Sequence, residues 1–186
     1  MIKFSLPKHC LRTLYFALIH PHLTYGILAW GNSKATLLNK TDTLQKRALR
    51  SINNKKYNSH SDPLFKLSGV LKISDLYQME ALLFMFDYIN NGLPKSFNGT
   101  FDYIYARENT YVTRQRYMFD LPRTKSRFVD KLPLFNFPNI WNKNLSNFNF
   151  KTSRKCYKRT IKSTFLDSYK VNVICNNPFC LDCHNV

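Results

Sequence analysis

The stretch SDLYQMEALLFMFDYINNGLP, Ser74 to Pro94, decides the fold. Apart from Glu80 and Asp87 it is apolar almost all round, and a helix with that pattern is a central, buried one. Ser74 or Asp75 can cap its start, with Gln78 placed to answer Asp75. Asn90-Asn91-Gly92-Leu93-Pro94 stops it. Two further helices precede it. In the first, Leu11, Leu14, Tyr15 and Leu18 fall at i, i+3, i+4, i+7, with Lys8 and Arg12 left for solvent or phosphate. Pro21 is expected to end it. In the second, Leu37, Thr41, Leu44, Ala48 and Ile52 are the expected buried stripe, with Lys46, Arg47 and Arg50 projecting elsewhere and Lys55 and Lys56 following.

The pattern predicts a mainly α chain: a three-helix bundle over 1–93, then an irregular aromatic connector over 94–150 interrupted by Pro122, Pro133 and Pro138. Thr110–Pro122 could pair as a short β-hairpin. A basic helix at 151–170 carries an apolar stripe of Tyr157, Ile161 and Phe165, expected to dock on Phe137, Ile140 and Trp141. Lys155, Lys158, Arg159 and Lys162 share a separate stripe at i, i+3, i+4, i+7, expected to contact phosphates, about one each. A Cys-rich tail occupies 171–186.

Composition points to a polyanionic partner. The 186 residues hold 28 Lys+Arg against 11 Asp+Glu, a formal charge of +17. At that charge self-repulsion opposes compaction, and phosphate backbones relieve it. The 44% hydrophobic content supports a packed interior. No apolar run is long enough to span a bilayer, and the N-terminus lacks the pattern of a signal peptide. Five unevenly spread Cys argue against a disulfide framework and for an intracellular protein.

Chemistry-bearing motifs are few. The closest acidic pair in sequence is Asp75 and Glu80, so no local Asp-Asp or Asp-x-Asp exists to hold two divalent metals for phosphoryl transfer. Carboxylates gathered from distant positions, as in a metal-dependent nuclease, stay open as an alternative. His20 and His22 flank a proline with no further ligand nearby, which favours capping or packing over metal. Cys180 and Cys183 form a C-x-x-C of the kind that grips zinc, with Cys175 as third ligand; the alternative is a reduced, metal-free tail. Tyr15, Tyr25, Trp30 and Trp141 read as core residues rather than stacking platforms.

LPKHCLRTLYFALIHPHLTYGILAWGN (Leu6–Asn32), LQKRALRSIN (Leu44–Asn53) and HSDPLFKLSGVLKISDLYQMEALLFMFDYINNGLP (His60–Pro94) together resemble the segment after the polymerase palm in reverse transcriptases of jockey-like non-LTR retrotransposons. LPLFNFPNIWNKNL (Leu132–Leu145) resembles the aromatic-Pro-x-Ile-Trp-Asn box near the C-terminus of those proteins, where a Cys-rich end also recurs. The resemblance implies a thumb followed by a C-terminal extension of an RNA-directed DNA polymerase. The family's palm motif, Tyr/Phe-Ala-Asp-Asp, has no match here, so no catalytic residue carries over and no enzyme activity is expected. The implied partner is RNA, DNA or their hybrid, in the nucleus, held by Lys8, Arg12, Lys46, Arg47, Arg50, Lys55 and Lys56 through phosphates rather than bases. A stand-alone basic nucleic-acid-binding protein with a zinc tail is the rival reading.

Overall fold

The computed structural model describes residues 6–101, 118–121, 126, 128–144 and 152–169. These are mainly helical, with no β-strand among the described residues. In chain order they form α1 (Lys8–Leu14), a π turn (Tyr15–Ile19), α2 (His20–Thr24), α3 (Ile27–Trp30), α4 (Ala35–Ile52), α5 (Asp62–Ser68) and α6 (Ile73–Ile89). Short 3-10 turns at Lys95–Phe97 and Val129–Lys131, α7 (Pro133–Asn144) and α8 (Arg154–Ser168) follow. Most of Thr110–Pro122, where a hairpin was expected, lies outside the described residues.

The chain folds as two compact units: Met1–Ile27 with Ser33–Leu76 and Lys162–Val186, and Leu28–Asn32 with Tyr77–Ile161. In the first unit, the opening helix does not stop at Pro21. Proline has no N–H to give the carbonyl of residue 17, and its ring crowds that carbonyl. The preceding turn widens instead, with the His20 N–H reaching back five residues to the Tyr15 carbonyl, and α2 then starts with Pro21 in its first turn. Of the expected stripe on this segment only Tyr15 is buried; Leu14 and Leu18 are 41% and 62% exposed.

The expected stripe on α4 is also displaced. Gln45, Leu49 and Ile52 are buried, whereas Leu37 and Leu44 face solvent. Gln45 explains the rotation: its Nε2 donates to the Tyr15 hydroxyl at 3.1 Å and to the Leu71 carbonyl at 2.9 Å. A glutamine with two internal acceptors can occupy a core position that its polarity alone would deny it. Leu64 and Phe65 of α5, with Val70, Leu71 and Ile73, complete this core. α5 is a further helix between the second and third of those expected, with Pro63 in its first turn.

Three helices end in the same way. Asn54, Gly69 and Asn91 adopt left-handed backbone, with φ of 52°, 64° and 54°. In each, the next N–H bonds back five residues: Lys55 to Arg50, Val70 to Phe65, Gly92 to Asp87. This is the Schellman stop, which satisfies carbonyls the helix leaves orphaned. At the other end of α6, neither Ser74 nor Asp75 caps. The helix starts at Ile73, and the Asp75 carboxylate instead accepts the Tyr169 hydroxyl, whose oxygen accepts the Lys72 N–H at 3.0 Å.

The second unit is built on α6, where Met79, Ala81, Leu82, Leu83, Met85 and Phe86 are buried. Against it packs a run of rings. Tyr88 meets Phe101, Phe101 meets Phe119, Phe119 meets Trp141 and Trp141 meets Tyr157, with centroids 5.0–6.4 Å apart; Tyr157 stacks on Phe86 at 4.5 Å. Offset and edge contacts of this kind each add about 0.5–1.5 kcal/mol beyond buried area. The segment 133–144, expected to be irregular, is helical. Pro133 opens α7 at a position needing no donor, and Pro138 is buried inside it. Asn142 shows why this box is more than packing: its amide accepts the Phe119 N–H at 3.0 Å and donates to the Phe119 carbonyl at 2.8 Å. Tyr157 does meet Trp141, as expected, but its nearest ring is Phe86, and Phe165 is only half-buried.

Candidate nucleic-acid interface

The expected phosphate-binding cations divide into two kinds. Lys8, Arg47 and Lys56 are exposed, as are Lys155 and Arg159 on α8. The others are engaged within the protein. Lys46 pairs with Asp42 one turn earlier on α4. Arg50 donates its Nε to the Ser59 carbonyl at 2.8 Å. Arg12 is exposed but lies over the Phe16 ring at 5.6 Å, with its guanidinium against Gly69 at the C-terminal end of α5. A cation is favourable there because helix C-termini carry partial negative charge. Lys158 reaches Glu80 at 3.3 Å, so the four α8 cations do not form one open face. Lys162 is half-buried.

Arg50 builds the sharpest feature. Its bond to Ser59, with the Asn54 stop and the Ser59 N–H on the Lys56 carbonyl at 3.2 Å, braces the loop after α4. That loop presents Lys55, Lys56 and Tyr57 outward, with Tyr57 88% exposed. An exposed ring beside two cations offers a base a stacking face and its backbone a counter-charge. Lys55 and Lys56 were expected contacts; Tyr57, between them and Asn58, is the residue that sequence reading passed over. Tyr25 likewise proves 85% exposed, not core; Tyr15 and Trp141 are buried, and Trp30 is half-buried.

Most of the carboxylates among the described residues are used internally. Asp62 holds Lys72 at 2.9 Å, Asp87 takes the Arg154 Nε on both oxygens at 2.9 Å, and Asp167 meets Lys66 at 3.5 Å. With Asp42, Glu80 and Asp75 accounted for above, six of the acids bond inside their own unit. Among the described residues no three His, Cys, Asp or Glu side chains gather as a metal site. Cys175, Cys180 and Cys183 lie outside the described residues. Cys10 and Cys156 are free thiols.

Four tyrosines titrate abnormally high. Burial raises Tyr15 and Tyr77, partly offset by hydrogen bonds from Gln45 and Asn136. Burial alone raises Tyr157 strongly. Tyr169 is raised by burial first and then by donating to Asp75, since ionisation would oppose two anions. None is poised as an acid or base near neutrality. No helix among the described residues is long and apolar enough to cross a membrane.

No protein family, curated protein or solved structure matches this chain.

Proposed function

We propose that the chain is a non-catalytic nucleic-acid-binding piece of a retrotransposon RNA-directed DNA polymerase. It grips the template–primer backbone, as RNA, DNA or hybrid, without reading sequence. In this reading the helices up to residue 93 form a thumb-like three-helix bundle, 110–122 closes as a short hairpin, and Cys175, Cys180 and Cys183 hold zinc; the work is done in the nucleus. One observation carries the proposal. Six of the eleven carboxylates bond inward, while Lys8, Arg47, Lys56, Lys155 and Arg159 stay exposed. A surface with surplus cations and internally engaged anions suits a phosphate backbone. The resemblance of Leu6–Asn32, Leu44–Asn53 and His60–Pro94 supplies the class of machine.

Fluorescence anisotropy with an RNA–DNA hybrid and two unrelated DNA duplexes tests it. All three are expected to bind alike, with affinity falling steeply between about 50 and 200 mM salt. Replacing Arg47, Lys56, Lys155 and Arg159 together by Gln is expected to flatten the log–log salt slope by roughly three to four units. Lys158→Gln, whose partner is Glu80, is expected to leave the slope nearly unchanged. Salt-independent or sequence-selective binding refutes the reading. With Mg²⁺ and a primed template no nucleotide incorporation is expected, because the sequence holds no Asp-Asp or Asp-x-Asp pair to hold two metals.

A further inference from the structure

The displaced stripes of α1 and α4 have a consequence of their own. Leu11, Leu14, Leu18 and Ile19 on one side and Ala48 and Ile52 on the other line an open groove of about 260 Å³ within the first unit. Leu14, Leu18 and Ile19 are 41%, 62% and 38% exposed, and Leu44 and Leu37 of α4 add 61% and 57%. At about 100° per residue, Leu37, Leu44 and Ala48 fall within about 40° of one another, about 100° from the buried Gln45 and Leu49. The π turn serves the same face. Ile19, its last residue, lines the groove with Leu14 and Leu18. Single exposed leucines are ordinary, but a row of them rimmed by charge marks a binding surface.

The charge pattern names the occupant. Lys40 and Arg47, seven residues apart and both exposed, lie about 40–60° further round α4 than Leu44. The nearest acid on α4, Asp42, is turned to Lys46. The groove lining offers phosphate no cation, and its one ring, Tyr15, is 1% exposed with its hydroxyl turned to Gln45. It is smaller than the ~300–1,000 Å³ of a typical small-molecule pocket, and its walls are open rather than enclosing. A second copy would bring the same cations and a further +17.

We propose that this groove docks an amphipathic helix of a partner protein, with a leucine-type stripe seated between α1 and α4 and acidic residues facing Lys40 and Arg47. It shares Arg47 with the nucleic-acid reading, and the leucine variants below, which keep Arg47, separate the two. The probe is a labelled synthetic helix of about 18 residues, about five turns, carrying Leu at i, i+4, i+7 and i+11 with Glu alongside. Its controls are the same composition with the stripe scrambled, and the same stripe with Lys for Glu.

The acidic striped helix is expected to bind at least about tenfold tighter than the scrambled one, whose charge is identical. Leu18→Gln with Leu44→Gln is expected to cost about tenfold or more in helix affinity while leaving duplex binding unchanged. Both positions are mostly exposed, so folding tolerates the change, and circular dichroism checks it. Lys40→Glu with Arg47→Glu is expected to reverse the preference toward the Lys-bearing helix. Equal binding of the scrambled helix overturns the proposal, because charge alone would then explain it. So does loss of duplex binding in the leucine variant, which would make the face a nucleic-acid surface. A wild-type dimer that the leucine variant dissociates would assign the groove to a second copy and also overturn it.

Discussion

Tyr169 ties together a helix start, a carboxylate and a lysine through one hydroxyl and one ring. Its oxygen accepts the Lys72 N–H, its O–H donates to Asp75, and its ring stands 4.9 Å from the Lys72 ammonium and 6.2 Å from Phe65. Tyr157 is held differently, by stacking on Phe86. For both, the folded state favours the neutral phenol, so the folded pKa lies above the unfolded value of about 10. Stability from each is therefore fully present below about pH 10 and is lost as pH rises beyond it. The loss is at most about 1.4 kcal/mol per pH unit per tyrosine. Lysine deprotonation weakens ion pairs in the same range, so the informative measurement is a difference. Denaturant midpoints at pH 8, 10 and 11 are expected to fall more steeply for wild type than for Tyr157→Phe. Parallel curves would mean that Tyr157 ionises without penalty and is not held in an apolar site.

At the scale of elements, the helix stops give the cleanest expectation. Asn54 and Asn91 stand in left-handed backbone, which an alanine Cβ disfavours by about 1–2 kcal/mol. Asn54→Ala and Asn91→Ala are expected to destabilise by about 1 kcal/mol each, and the glycine variants to be neutral or slightly stabilising. An alanine variant of unchanged stability would show that the stop is set elsewhere. The second of these stops was legible in the sequence, as was α6 itself, because a helix apolar all round has no face to misassign. α4 was misread because it carries two apolar lines about 100° apart, and the buried one contains Gln45 while the exposed one is all Leu and Ala. α7 was hidden by Pro133 and Pro138, which read as breaks until the first is placed at the helix start. Of the candidate interface, charge and residue type were readable, but pairing was not. Lys46–Asp42 shows its i, i+4 spacing in the sequence. Lys158–Glu80 and Arg154–Asp87 exist only once α8 lies on α6.

For the molecule as a whole, two electrostatic terms of opposite sign compete. The ion pairs among the described residues are short and partly exposed, and such pairs contribute about 0–1 kcal/mol each. Against them stands the uncompensated charge of +17. Two like charges about 20 Å apart in water repel by only about 0.2 kcal/mol, but on the order of a hundred such pairs act at once. Unfolding moves the charges apart and relieves part of this, so the repulsion weighs on the folded state by several kcal/mol at low salt. Salt acts unequally on the two terms. The screening length falls from about 30 Å at 0.01 M to about 8 Å at 0.15 M, which removes most of the long-range repulsion while contacts near 3 Å lose far less. The melting temperature is therefore expected to rise by several degrees between 10 and 150 mM NaCl, and to rise further with a polyanion that binds the folded chain. A melting temperature that falls across that range would mean the short pairs outweigh the net charge. The surplus cations would then be too well solvated to strain the fold, and relief of repulsion could not be what draws this surface to a phosphate backbone.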